Sequence, residues 1–282
     1  MSRWRLILDA RGPGPWNMGM DEALLASVVS GGPPTLRLYR WQGAWLSLGY
    51  SQHLSPERLA ACHRAGVGIV GRATGGRAVL HGGDLTYTIV AGESELPDGL
   101  SASYAVVCRA LLSALFRIGV GADLAPGGTA GVSAREFDCF AHAAGHEICV
   151  QGKKLAGSAQ RRSGGGVLQH GSIRVLPDLP GVARVCGVAS GGATSLAELG
   201  RLPAAGALEQ ACIAGFTEVL GCRFELDLPS PVERSRASAR KPGRLRFWQS
   251  TQQFTRADPR RDRSRHPIAR RYRHMEGQFH TP

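Results

Sequence analysis

Hydrophobic and polar positions alternate with two different periods along this chain, and the changes of period mark its elements. Trp4 to Asp9 predicts a strand. Asn17 then predicts the N-cap of a helix from Met18 to about Ser30, striped by Met20, Leu24, Leu25 and Val28 and ended by Gly31-Gly32-Pro33-Pro34. Thr35 to Trp41 and Ala44 to Gly49 read as strands. A helix follows with Ser55 as cap, Pro56 in its first turn, Leu59 and Cys62 inward, and Gly66 at its close. Val67 to Val70 is a short buried strand. Leu85, Tyr87 and Ile89 alternate with Asp84, Thr86 and Thr88 in the pattern of a further strand. Ala102 to Ile118 is the most periodic helix, carrying Val106, Val107, Ala110, Leu111, Ala114 and Leu115 on one side. Residues 121 to 137 are loop-like. Ile148 to Gln151, Leu155 to Gln160 and Val167 to Val175 form a strand and hairpin system, with helical patterns at Ser195 to Leu199 and Ala207 to Leu220 and a last strand at Arg223 to Leu228. Strands mixed with flanking helices, without an internal repeat, predict an α/β or α+β domain with a mixed β-sheet.

The patterning stops near Pro229, and composition takes over there. Residues 231–282 hold 14 Lys and Arg against 4 Asp and Glu, which is +10 of the chain's net +12 and leaves only +2 for the remainder. The basic character therefore belongs to the tail and says little about the body's partner. So few aliphatic residues cannot offset the ordering entropy of such a segment, so residues 229–282 are expected to be a disordered or atypical basic tail. A nucleic-acid-binding arm is the lesser reading of it. Seven cysteines without a CxxC pair argue against a disulfide framework and for a reducing, cytoplasmic setting. The apolar run near the N-terminus is too short for a signal peptide, and no later segment is expected to be long enough to cross a membrane.

Two stretches carry the chemistry. Arg72 to Ile89, RATGGRAVLHGGDLTYTI, sets Gly75-Gly76 between two arginines, ahead of His81 and a strand. Gly152 to Ser172, GKKLAGSAQRRSGGGVLQHGS, sets Lys153-Lys154 ahead of the small residues Ala156, Gly157, Ser158 and Ala159. Backbone amides beside glycine approach a ligand closely, so two such turns with nearby cations suggest an anionic or carbonyl-bearing ligand held between two hairpins. The first stretch is not a nucleotide P-loop, because it lacks the GK[ST] ending and a strand follows it. His81 and His170 each have an ordinary role in hydrogen-bonding a backbone carbonyl, the preferred reading for His170. Cys139 reads by itself as a small buried hydrophobe. With His142, His146 and Cys149 it also has a spacing open to zinc, a minor alternative to a site without metal.

Arg72-Ala73-Thr74-Gly75-Gly76-Arg77-Ala78-Val79-Leu80-His81, then Lys154-Leu155-Ala156-Gly157-Ser158-Ala159-Gln160 and Leu168-Gln169-His170-Gly171, resemble the lipoate-protein ligase and octanoyltransferase family across roughly residues 2 to 228. The resemblance implies a biotin/lipoate protein ligase-like catalytic domain over 1–228, related to class II aminoacyl-tRNA synthetases. Cys139-Phe140 followed by Glu147 is similar to the cysteine-dependent octanoyltransferase branch, in which the cysteine accepts the acyl group. Where the family commonly has two arginines before Thr-Gly-Gly, this chain has Gly71-Arg72.

The resemblance implies catalysis by Cys139 and Lys154, with Arg72, Thr74, Gly75, Gly76, Arg77, His81, Gly157 and Ser158 binding substrate. The glycines and Ser158 would line an acyl tunnel, with Arg72, Arg77 and His81 at its mouth. A thiolate is the reactive form of Cys139, and an ammonium nearby favours it. The same ammonium would stabilise negative charge on a thioester carbonyl oxygen. On a strand, Lys153 and Lys154 face opposite ways, and the family motif selects Lys154. The implied reaction moves octanoyl from acyl carrier protein to the lysine of lipoyl-domain proteins, such as the glycine cleavage H protein and 2-oxoacid dehydrogenase E2, without cofactor. The alternatives are an ATP- and Mg²⁺-dependent lipoate-protein ligase working through lipoyl-AMP, an amidotransferase sharing the cysteine, and a non-catalytic acyl- or lipoyl-binding protein.

Overall fold

The computed structural model describes residues 2–125, 147–188 and 191–240. Eight strands form one mixed sheet: β1 (Ser2–Leu8), β2 (Thr35–Tyr39), β6 (Asp84–Gly92), β7 (Asp123–Leu124), β8 (Ile148–Val150), β9 (Lys153–Ser163), β10 (Gly166–Arg174) and β11 (Cys222–Leu226), in the order β11-β1-β2-β6-β10-β9-β8-β7. A second sheet, β4-β3-β5, uses β3 (Trp45–Leu48), β4 (Gly68–Gly71) and β5 (Val79–His81). The helices are α1 (Gly14–Val29), α2 (Pro56–Arg64), α3 (Leu100–Arg117), α4 (Pro180–Cys186), α5 (Ala207–Leu220) and α6 (Pro231–Ser238).

The large sheet is covered on both faces, and β6 shows why its sequence alternates. Leu85, Tyr87, Ile89 and Ala91 join the core formed with α3 and α5, whereas Val90 packs with α1 and Thr88 Oγ1 donates to Asp21 on the same helix at 2.9 Å. The polar half of the alternation is thus buried too, but against hydrogen-bonding partners. Helix α3 has the length and composition of a membrane-crossing helix, contrary to the sequence expectation. Its Val106, Val107, Ala110, Leu111, Ala114 and Leu115 are nevertheless buried in the core it shares with α5, where Gly215 lets the helices close to backbone contact with Ala110 and Ala114.

Three expectations are corrected. Helix α1 starts at Gly14 rather than Met18, because Pro15 suits its first turn. Asn17 lies inside it, donating to the carbonyls of Gly12 and Arg40 at 3.1 and 3.2 Å. Ser195 to Leu199 closes a single turn and is no helix. The boundary at 228 also cuts through packed structure. Ser230 and Glu233 form a capping box that starts α6, and α6 docks on α1 where Gly19 leaves room for the Ala237 carbonyl. Arg5 of β1 donates to both oxygens of the buried Glu233, at 3.1 and 2.6 Å. The part of the tail from 241 onward lies outside the described residues.

Candidate active site

The two motifs meet in one pocket between the sheets. It is lined by Gly76, Val79 and His81 from the first motif, Gly157, Ser158 and Ala159 from β9, and His170 and Ser172 from β10, with Met18 and Trp41 also contributing. Strand β10 makes this meeting possible, since His170 pairs with Thr88 of the first motif on one side and Ala159 on the other, and Ser172 with Thr86 and Gly157.

Each histidine is held by a buried aspartate. His81 Nδ1 lies 2.7 Å from Asp84 Oδ2 and its Nε2 lies 2.8 Å from Ser47 Oγ, while its ring stacks on Trp41 at 3.9 Å. Burial pushes the Asp84 carboxyl up, but the charge and hydrogen bond of His81, with bonds from Ser172 and the Gly82 amide, outweigh it and bring it to about 2. His170 Nδ1 lies 2.9 Å from Asp21 Oδ2 and its Nε2 lies 2.7 Å from Thr74 Oγ1. His170 therefore bonds side chains, not the backbone carbonyl expected from sequence, and Thr74 touches His170 without lining the pocket. These polar groups are satisfied by one another, so the surface left to a guest is suited to an apolar chain.

Arg72 lines the pocket and is also tied into the fold. Its guanidinium is buried and donates to the Ser47 carbonyl and Oγ at 3.0 and 2.9 Å, and to the Gly75 and Arg77 carbonyls at 3.0 and 2.6 Å. It staples the glycine turn to β3 and lines the pocket at the same time. Gly75 and Gly76 are exposed on that turn. Gly76, at φ +87°, is in the left-handed region and lines the pocket, whereas Gly75 and Arg77 do not line it. The close approach of Gly49 fixes the turn from behind, since a Cβ there would lie 1.9 Å from the Gly76 carbonyl oxygen. Gly49→Ala should therefore displace the turn, lowering stability by about 1–3 kcal/mol in urea unfolding and weakening acyl-substrate binding. Unchanged unfolding and binding would show that the turn is not seated on β3.

Lys154 and Lys153 divide as strand alternation requires: Lys153 is exposed and Lys154 fully buried. The Lys154 ammonium donates to Glu147 Oε1 in a buried ion pair. Its backbone is fixed by bonds to Gly192 and Thr194, both 2.9 Å. Ala193 between them packs on Val79, which links the lysine to the pocket wall. Ser158 is set by Tyr87, whose hydroxyl lies 2.6 Å from its Oγ, and by Tyr104, which donates to its carbonyl at 3.2 Å. Cys139, with Phe140, His142 and His146, lies outside the described residues. Among the described residues no cluster of three His, Cys, Asp or Glu suited to a metal is present. Burial pushes the Cys149 thiol up.

Asp21, Ser47 and Trp41 were missed by sequence reasoning, since each reaches the motifs only through the fold. Asp84 had a local signal in its three-residue spacing from His81 within HGGD.

Residues 13–217 match the family model of the lipoyl protein ligase A/B catalytic domain. The chain belongs to that family. Among its relatives, the octanoyltransferase LipM of Kyrpidia tusciae is 36% identical over 258 residues, covering 84% of this chain and 94% of the relative. That of Symbiobacterium thermophilum is 38% identical over 239 residues, covering 78% and 87%. Among solved structures, a lipoate-protein ligase A bound with ATP superposes with a TM-score of 0.71 at 27% identity, covering 84% of this chain and 93% of the other. The T. acidophilum protein Ta0514 with bound lipoic acid gives 0.68 at 26% identity, covering 84% and 94%. The family is one of enzymes, and the mixed sheet with flanking helices is the fold of its lipoate ligases.

Proposed function

We infer that this chain is an octanoyltransferase that moves an octanoyl group from acyl carrier protein to the lysine of lipoyl-domain proteins through a Cys139 thioester. The observation that carries the mechanism is Lys154: a lysine at no exposure, ion-paired, anchored through both backbone groups and one packing contact from the pocket. Burying an ammonium costs free energy that a purely structural side chain avoids, and such groups concentrate at catalytic sites. The relatives' names support octanoyl transfer over ligation.

In the first half-reaction the Cys139 thiolate attacks the thioester carbonyl carbon. Negative charge gathers on the carbonyl oxygen, where the Lys154 ammonium stabilises it. The tetrahedral species collapses by breaking the bond to the phosphopantetheine sulfur, which leaves as a thiolate and is protonated. In the second, the neutral ε-amine of the acceptor lysine attacks the Cys139 thioester, loses a proton and expels the Cys139 thiolate. No nucleotide takes part in either step. The pocket beyond Val79 holds the acyl chain against Trp41 and the small residues Gly76 and Gly157.

The test is incubation with octanoyl-acyl carrier protein in the absence of ATP, followed by intact mass before and after hydroxylamine. A hydroxylamine-labile octanoyl adduct is expected, and it should vanish in Cys139→Ala. Absence of the adduct, with lipoyl-domain modification only when free acid and ATP are supplied, would replace this reading by the ligase.

A further inference from the structure

We propose that Glu147 is the positioning residue for Lys154, holding its ammonium charged and aimed during acyl transfer. The proposal rests on the acyltransferase reading above and deepens it. Both members of the pair are buried, Lys154 at 0% and Glu147 at 8% side-chain exposure, so their contact is not a solvent-screened surface pair. Both are also fixed from behind. The Glu147 carbonyl accepts from the Ala125 amide at 2.7 Å beside β7, and the Lys154 backbone is clamped by Gly192 and Thr194. The backbone from which each of the two side chains extends is thus fixed by the fold itself.

The surroundings leave Glu147 this task. Tyr104 and Cys108 of α3 and Cys149 of β8 face it, and burial raises all three, Cys108 to about 12. All three stay neutral at neutral pH. These three neighbours of the carboxylate among the described residues are therefore neutral, and beside neutral groups a buried ammonium is held charged by a counterion in contact with it. Glu147 is a carboxylate that the fold brings into contact with Lys154. A long, flexible lysine side chain is also given one direction by that contact, which matters because displacing a catalytic group by about 1 Å is enough to cost about 100-fold in rate.

The experiment follows acyl-enzyme formation from octanoyl-acyl carrier protein by intact mass, across pH, for the wild type, Glu147→Gln and Glu147→Asp. Glu147→Gln should lower the maximal rate by about 100-fold with KM nearly unchanged. The alkaline limb of its rate profile should move to lower pH, because the ammonium has lost its counterion. Glu147→Asp restores the charge on a shorter arm and should recover part of the rate and the wild-type limb. A merely structural glutamate would lower the melting temperature without moving the limb. If Glu147→Gln gives no cooperative melt, Glu147→Asp decides: an unchanged maximal rate overturns the proposal, and a reduced rate at wild-type KM upholds it. A wild type that takes no octanoyl overturns the acyltransferase reading and this proposal with it. A labelled wild type with an equally fast Glu147→Gln overturns this proposal alone.

Discussion

Lys154→Met is expected to slow single-turnover acylation by octanoyl-acyl carrier protein by about 10²–10³-fold, the range for losing one preorganised donor to a developing oxyanion. Methionine fills nearly the same volume, so the change removes charge while leaving little cavity at a site with no exposure. KM should hardly move, because the acyl pocket is built by Trp41, Val79, Gly157 and their neighbours, which the substitution does not touch. Lys154→Arg should not rescue the rate. A guanidinium is larger and planar, and the fully buried site beside Glu147 holds a compact ammonium. Glu147 left without this partner would itself disturb the fold, so Lys154→Met combined with Glu147→Gln serves as the folding control. If that double variant melts like the wild type and remains as slow as Lys154→Met, the loss belongs to chemistry. Rates within about threefold of the wild type would remove Lys154 from the mechanism.

What the chain discloses before folding depends on whether a residue's partner is local. The division of Lys153 from Lys154 is legible because side chains on a strand alternate, and β6 is legible for the same reason. The Ser55 cap is legible because its oxygen accepts from Arg58 three residues on, at 3.3 Å. The four carbonyl and hydroxyl acceptors of Arg72 are not legible, because a guanidinium in a glycine turn looks the same in sequence whether or not its own fold binds it. Helix α6 was overlooked because its eight residues have no apolar stripe to announce it. Its stability comes from Arg5, far away in sequence, and from the Ser230–Glu233 capping box, whose Ser-Pro-x-Glu spacing was a usable signal. The same distinction divides the site. Gly76, Gly157 and His81 can be read along the chain, while Asp21, Ser47 and Trp41 arrive from elements that only tertiary packing brings near.

Arg37→Met is expected to lower folding stability by about 3–5 kcal/mol, the usual cost of removing one member of a buried ionic network. Arg37 has no exposure, yet it donates to Asp9 at 3.1 and 2.8 Å, to Asp21 at 2.8 Å, and to the Asn17 carbonyl and Oδ1, both at 3.0 Å. The substitution leaves the Asp21 carboxylate buried with His170, Thr88 and Tyr39 but without its cation. Burial pushes Asp21 up, yet the His170 bond and the Arg37 charge hold it below the ordinary 3.8 in the native protein. A carboxyl depressed in this way contributes stability above its unfolded value, and that contribution is lost as pH falls through the folded value. The deficit of Arg37→Met should therefore be largest at neutral pH and narrow below about pH 4, as read from urea unfolding midpoints. Adding Asp21→Asn should return part of the loss, because the uncompensated charge goes with it, and the two effects should be strongly non-additive. Additive losses, or a deficit that does not change with pH, would mean that Arg37 acts through packing on Tyr39 alone. The network also has a functional end. Asp21 orients His170, His170 holds Thr74, and Thr74 leads into the Gly75-Gly76 turn, so loosening Arg37 should raise KM for the acyl donor even where the protein remains folded.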